Sequence, residues 1–84
     1  GDIVERLMEL VGEYCREHRI NTLGLSLTNF SELTRQNLKN IHAFEKGRAN
    51  NIKYLFCYYV MTDGDGQERF LTGLFELYKE VDNK

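Results

Sequence analysis

Apolar residues recur at helical spacing from one end of this chain to the other, and no proline interrupts them. A period near 3.6 puts side chains three and four apart on one face, the mark of an amphipathic helix. Strict alternation, the mark of a half-buried strand, is hard to find. Ile3, Leu7, Leu10, Val11 and Tyr14, with Val4, Met8 and Cys15 beside them, predict a first helix over residues 2–18. Ser26 can cap a second helix that runs to about Thr34 with Phe30 and Leu33 inward. Leu38, Ile41 and Phe44 predict a third from about Gln36 to Lys46, and Gly47 stands where a left-handed C-terminal cap belongs. Ile52, Leu55, Phe56, Tyr59 and Val60 mark a fourth helix. Asp63, Gly64, Asp65 and Gly66 read as a break. Phe70, Leu71, Leu74, Phe75, Tyr78 and Val81 then form a broad apolar stripe on a fifth helix, over about 67–82. The expected fold is all-α, a compact five-helix bundle in one domain spanning residues 1–84.

Eighty-four residues leave a thin stability margin, because so short a chain buries only about two-thirds of its unfolded surface. A hydrophobic share of 42% against 29% charged places it among globular chains rather than disordered ones. No apolar run approaches the roughly 20 residues that cross a bilayer. The first residues, Gly1 to Glu5, are acidic and contain no signal-peptide core. Cys15 and Cys57 lie far apart in apolar helical surroundings, so both read as reduced core thiols and the expected compartment is the cytoplasm.

Charge is the first functional clue. The formal net charge is −2, which does not suggest a nucleic-acid binder until it is divided along the chain. Residues 34–53 hold Arg35, Lys39, Lys46, Arg48 and Lys53 against the lone acid Glu45. The acids collect elsewhere: Asp2, Glu5, Glu9, Glu13 and Glu17 at one end, and six more beyond residue 62. Positive charge is thus confined to a stretch that reads turn, helix, loop. Screening makes distant charges matter little, so a local basic patch can neutralise phosphates whatever the total.

From Leu25 to Arg48 the chain resembles the phage lambda-type repressor and Cro family, also called the XRE family. Leu25, the Ser26 cap, the Phe30–Ser31 pair, Ile41, Phe44–Glu45 and Gly47 fall at the family's positions with no gap between the two helices. The ending from Ile41 to Arg48 is the most specific part, and the resemblance covers roughly residues 10–62. It implies a lambda repressor-like helix-turn-helix at about 26–46, with Asn37–Glu45 as recognition helix. Departures are a longer loop around Ile20–Leu23, Arg35 where the turn usually has glycine, and Gln36 in place of an apolar residue. Small Ser31 lets the second helix cross close to the first, and Ile41 and Phe44 lock it to the core.

Carried over by position, the expected base contacts are Leu38, Lys39, Asn40 and Ala43, with Asn37 and His42 nearby. Lys39 can donate to guanine, Asn40 can pair bidentately with adenine, and Leu38 can touch a thymine methyl. Each has an alternative: Leu38 in the core, Asn37 as an N-cap, His42 simply in solvent. Ser26, Arg35, Gln36, Arg48, Asn50, Asn51 and Lys53 are the expected phosphate contacts. Glu45 is expected to pair with Arg35 or Arg48, or to satisfy backbone amides. The resemblance implies a sequence-specific transcriptional regulator of double-stranded DNA, a phage or mobile-element repressor that occludes a promoter.

Other chemistries find little support. His18, His42, Cys15 and Cys57 lack metal-ligand spacing. Asp63 to Gly66 begin like a calcium loop, but Leu74 stands where the bidentate acid is needed. No phosphate-binding glycine loop and no nucleophile–base set is present, so no cofactor, metal or enzymatic activity is expected. The tyrosines read as packed residues with exposed hydroxyls. The stripe Glu5, Glu9, Glu13 and Glu17 is either a solvated face or a surface for a basic protein partner. With the net acidity it sustains an alternative function, a helix-turn-helix fold used as a protein-binding module such as an antirepressor. Finally, Phe70, Leu71, Leu74, Phe75, Leu77, Tyr78 and Val81 offer more apolar width than one seam needs. Phe70, Leu71, Leu74, Phe75 and Tyr78 are therefore candidates for a homodimer interface, against simple core closure.

Overall fold

Five α-helices pack around one aromatic-rich core in the computed structural model, which describes residues 2–82. Gly1, Asn83 and Lys84, the ends of the expected domain, lie outside the described residues. The helices are α1 (Ile3–Glu17), α2 (Leu27–Thr34), α3 (Leu38–Glu45), α4 (Ile52–Val60) and α5 (Gly64–Asp82). Among the described residues there is no strand, and no helix is long and apolar enough to cross a membrane. The molecule measures 37 × 29 × 19 Å. Every helix contributes to the core: Cys15 from α1, Phe30 from α2, Ile41 and Phe44 from α3, Tyr54, Cys57 and Tyr58 from α4, and Phe70 from α5. Aromatic rings meet at its centre, with Phe30 and Tyr58 centroids 4.6 Å apart and Phe44 and Tyr58 5.9 Å apart. Both cysteines are buried free thiols.

Local chemistry starts and stops the helices. Asp2, Ser26, Asn37 and Asn51 each accept a backbone N–H of the helix they precede, filling orphan donors. α2 and α3 then end in the same way. After α2, Gln36 N–H bonds to Ser31 O and Arg35 N–H to Glu32 O. After α3, Arg48 N–H bonds to Ala43 O and Gly47 N–H to Phe44 O. This six-to-one plus five-to-two pattern needs a residue in the left-handed region, and Gly47 supplies it at φ 76° without strain. At the end of α2 that place is taken by Arg35 at φ 59°, a conformation that a Cβ makes costly.

Several expectations are corrected. α1 does not run into an open loop; it widens at residues 18–22 into a π-helical segment closed by Leu23 N–H to His18 O. Leu33 is 60% exposed rather than inward; α2 meets the core through Phe30, with Leu27 packed beside it. α4 is rotated from its expected stripe: Tyr54, Cys57 and Tyr58 are buried and the expected Leu55 and Tyr59 pack half-buried beside them, while Ile52, Phe56 and Val60 face out. The supposed break at residues 63–66 is largely helix, since α5 begins at Gly64, earlier than the expected residue 67. Phe70 is only 1% exposed and belongs to the core, so it drops out of the dimer candidates, and Leu71 packs against that core.

A residue whose importance sequence reasoning missed sets the crossing of α1 over α3. A Cβ on Gly12 would lie 2.6 Å from Phe44 O and 2.7 Å from Glu45 O, both backbone atoms of α3. Only glycine lets the two helices approach this closely. Its one signal is the glycine itself, placed inside an otherwise strong helical pattern where it costs about 1 kcal/mol relative to alanine.

Candidate nucleic-acid interface

α2 and α3 are eight-residue helices joined by Arg35, Gln36 and Asn37. Ser31 ties this turn down, its hydroxyl donating to Gln36 O. α3 is divided along its length and across its faces. Ile41, Phe44 and Glu45 are buried, whereas Leu38, Lys39, Asn40 and His42 are exposed and Ala43 is half-buried. The N-terminal half of α3 is therefore free to touch another molecule.

Beside the core packing of Ile41 and Phe44, an ion pair holds α3. Glu45, in its last turn, accepts from Arg19 Nε at 2.8 Å and from Arg19 Nη2 at 2.9 Å, a bidentate pair. Tyr58 Oη donates to the same carboxylate at 2.7 Å, and Arg19 Nη1 donates to Leu25 O at 3.0 Å. The two charged side chains are 7% and 4% exposed. Burial of charge on this scale is tolerated because every polar atom is satisfied, and no buried side-chain polar atom among the described residues lacks a partner. The hydrogen bond to Glu45 holds the Arg19 guanidinium pKa above its usual value. Burial, with Glu45 nearby, raises that of the Tyr58 hydroxyl. Arg19 thus takes the place of the expected partners of Glu45, Arg35 and Arg48, and the hydroxyl of Tyr58 is buried rather than in solvent as expected. Arg19 lies 26 positions away, and its only hint was that Glu45 needed a cation.

The expected contact residues separate into groups. Asn37 is an N-cap, its Oδ1 accepting from Lys39 N–H at 2.9 Å and Asn40 N–H at 3.3 Å. Asn51 does the same for Lys53 N–H at 3.0 Å, and Ser26 for Asn29 N–H at 3.1 Å. Gln36 is half-buried and its Nε2 donates to Thr34 O at 3.4 Å. Arg35, Lys39, Asn40 and Lys53 are exposed around the α2–α3 turn and the first turns of α3 and α4. Arg48 and Asn50 are exposed too, but they line a cleft of about 870 Å³ shared with the acids Asp2, Glu5 and Glu9 and the bases Arg6 and Lys46. Acidic side chains there oppose a phosphate, so these two residues sit in a mixed field that sequence position did not reveal.

Backbone charge adds to the pattern. The first turns of α2, α3 and α4 contain no acid, whereas α1 has Glu5 and α5 has Asp65. A helix N-terminus carries about half a positive charge. In the three consecutive middle helices nothing in the first turn neutralises it, and α3 and α4 add Lys39 and Lys53.

Compared with family models, with curated proteins and with solved structures, the chain finds no match in any of the three.

Proposed function

We propose that the chain binds double-stranded DNA through α3 as a sequence-specific transcriptional regulator, with the lambda repressor-like helix-turn-helix at about 26–46. The observation that carries this reading is the division of α3: one face locked by Ile41, Phe44 and Glu45, the other presenting Lys39, Asn40 and His42. A major groove admits one helix, and a rigidly held helix with a polar outer face is what base readout requires. Lys39 and Asn40 are the readers. Arg35 and Lys53, with the backbone N–H groups that begin α2 and α4, are the phosphate contacts. Asn37 supports the readers by capping the helix that bears them. Occlusion of a promoter by this contact would make the protein a repressor.

The test is selection of bound sequences from a random duplex library, followed by anisotropy titrations over a range of salt. Binding should weaken steeply with salt, as counterion release demands. Lys39→Ala and Asn40→Ala should each cost about 1–3 kcal/mol at the selected site and relax preference there. Both side chains are exposed, so stability should hardly change. Unaltered preference in the double variant removes these residues as readers. Absence of any salt-sensitive DNA binding would favour the protein-binding alternative, for which the exposed Glu5, Glu9, Glu13 and Glu17 are the surface to examine.

A further inference from the structure

The stop that ends α3 lies directly against the first half of α1. A Cβ on Gly47 would stand 2.9 Å from Glu9 Cα and 3.2 Å from Glu9 Cγ. Glu9 is thus fixed beside the one residue that separates Lys46 from Arg48. The cleft that opens there holds three acids, Asp2, Glu5 and Glu9, and three bases, Arg6, Lys46 and Arg48, and all six are exposed. Arg6 Nη1 and Glu9 Oε1 approach only to 3.9 Å. Among the described residues, neither Lys46 nor Arg48 makes an ion pair. The acids therefore offset the field of these bases without tying the side chains down. Lys39 and Lys53 are placed differently, in the first turns of α3 and α4, which contain no acid.

We propose that Glu9, backed by Glu5, is a positioning residue that works by repulsion. It holds the phosphate backbone of a bound duplex off Lys46 and Arg48, so that DNA meets α3 by its N-terminal half. Phosphate affinity follows the local charge, because screening removes the contribution of distant groups. At the end of α3 that local charge is balanced, whereas at Lys39 and Lys53 each base adds to the positive end of its helix. A repulsive element of this kind disfavours the wrong docking and leaves the right one unchanged. This rests on the DNA reading of α3 and adds to it which part of the basic stretch the duplex avoids. Two unit charges about 7 Å apart in water change an equilibrium about threefold, so one carboxylate is enough to bias the docking.

Fluorescence anisotropy at one fixed, physiological salt concentration tests this, with the duplex selected from the random library and a duplex of unselected sequence as probes. Glu9→Gln should bind both about two- to fivefold more tightly than wild type. Glu17→Gln makes the same charge change on the same helix, outside the cleft and about 12 Å further along. That exceeds the Debye length of about 8 Å, so both affinities should stay at the wild-type value. Arg48→Ala should cost the wild type little but cost Glu9→Gln most of its gain, the coupling that a double-mutant cycle reads. Circular dichroism should show every variant folded, since these side chains are exposed and a surface pair such as Arg6–Glu9 stabilises little. A wild type that binds while Glu9→Gln binds no better overturns the inference, as does equal tightening by Glu17→Gln. A wild type that binds neither probe overturns the DNA reading itself, and the inference with it.

Discussion

Replacing Arg19 by methionine keeps most of its length and removes its charge, leaving the Glu45 carboxylate buried with Tyr58 as its one remaining hydrogen-bond partner among the described residues. Breaking a buried pair from one side costs about 3–5 kcal/mol, since the surviving charge loses its counterion but not its burial. A domain of this size has roughly 4–13 kcal/mol in total, so the change consumes a large fraction of it. With about 4–8 °C of Tm per kcal/mol for a domain this small, the melting point should fall by at least about 12 °C. Urea titrations followed at 222 nm, extrapolated linearly to water, measure the loss directly. Arg19→Lys should also lose stability, because an ammonium cannot reproduce the two parallel bonds at 2.8 and 2.9 Å. The decisive comparison is Arg19→Met/Glu45→Leu/Tyr58→Phe, which removes the charges and the stranded hydroxyl together. It should recover to within about 2 kcal/mol of wild type, because an apolar replacement of a buried pair is often neutral. A loss below about 1 kcal/mol for Arg19→Met, or a triple variant no better than the single one, would refute the reasoning.

Three further outcomes follow from the geometry. Gly12→Ala should destabilise by about 1–3 kcal/mol in chemical denaturation despite alanine's better helix propensity, because its methyl meets α3 backbone rather than a yielding side chain. Arg35→Gly should raise stability by up to about 1 kcal/mol, relieving a left-handed residue at the cost of a freer unfolded chain; if Arg35 contacts phosphate, the same variant should flatten the salt dependence of DNA binding by about one unit. The His18 ring lies tilted against Phe70, centroids 4.5 Å apart, and its Nε2 meets Thr62 Oγ1 at 2.7 Å while that hydroxyl donates to Tyr58 O. Burial lowers its pKa below the usual 6.5, so the folded state binds this proton less readily than the unfolded one. The stabilisation is therefore complete above about pH 6.5 and is lost as pH falls towards the lowered value. The stability gap between wild type and His18→Gln should shrink between pH 7.5 and 5.5, and a constant gap would count against it (both values bracket the ordinary histidine range).

Features written within a few residues of one another were legible in the chain. Ser26 as a cap, Gly47 as a left-handed stop, and the inward pair Ile41 and Phe44 each follow from short-range chemistry, and each stands where expected. The reading failed where both faces of a helix carried large apolar or aromatic side chains. In α4 the sets Ile52, Phe56, Val60 and Tyr54, Cys57, Tyr58 are alternative stripes on one short helix, and hydrophobicity alone favours the first. The second set wins because a buried Tyr58 finds Glu45 for its hydroxyl and Phe30 and Phe44 for its ring, partners that no local window contains. Gly66 was read as a breaker for a similar reason. It lies buried in the first turn of α5, where a Cβ would press on Thr62.

The same division explains why the orientation of α3 is better determined than what it reads. Its two ends are held by backbone devices, the Asn37 cap and the Gly47 stop, and its inner face by packing and by the Arg19–Glu45–Tyr58 network. None of these uses the side chains of Lys39, Asn40 or His42. Folding therefore places no demand on those three positions beyond helix compatibility, and local patterning has no purchase on them. In the proposed function they are constrained only by the bases they meet. A stable scaffold with freely variable outer positions is how one fold can serve many operators. On this account Lys39 and Asn40 can be exchanged together for other polar residues with little loss of stability, while the sequence selected from the duplex library changes.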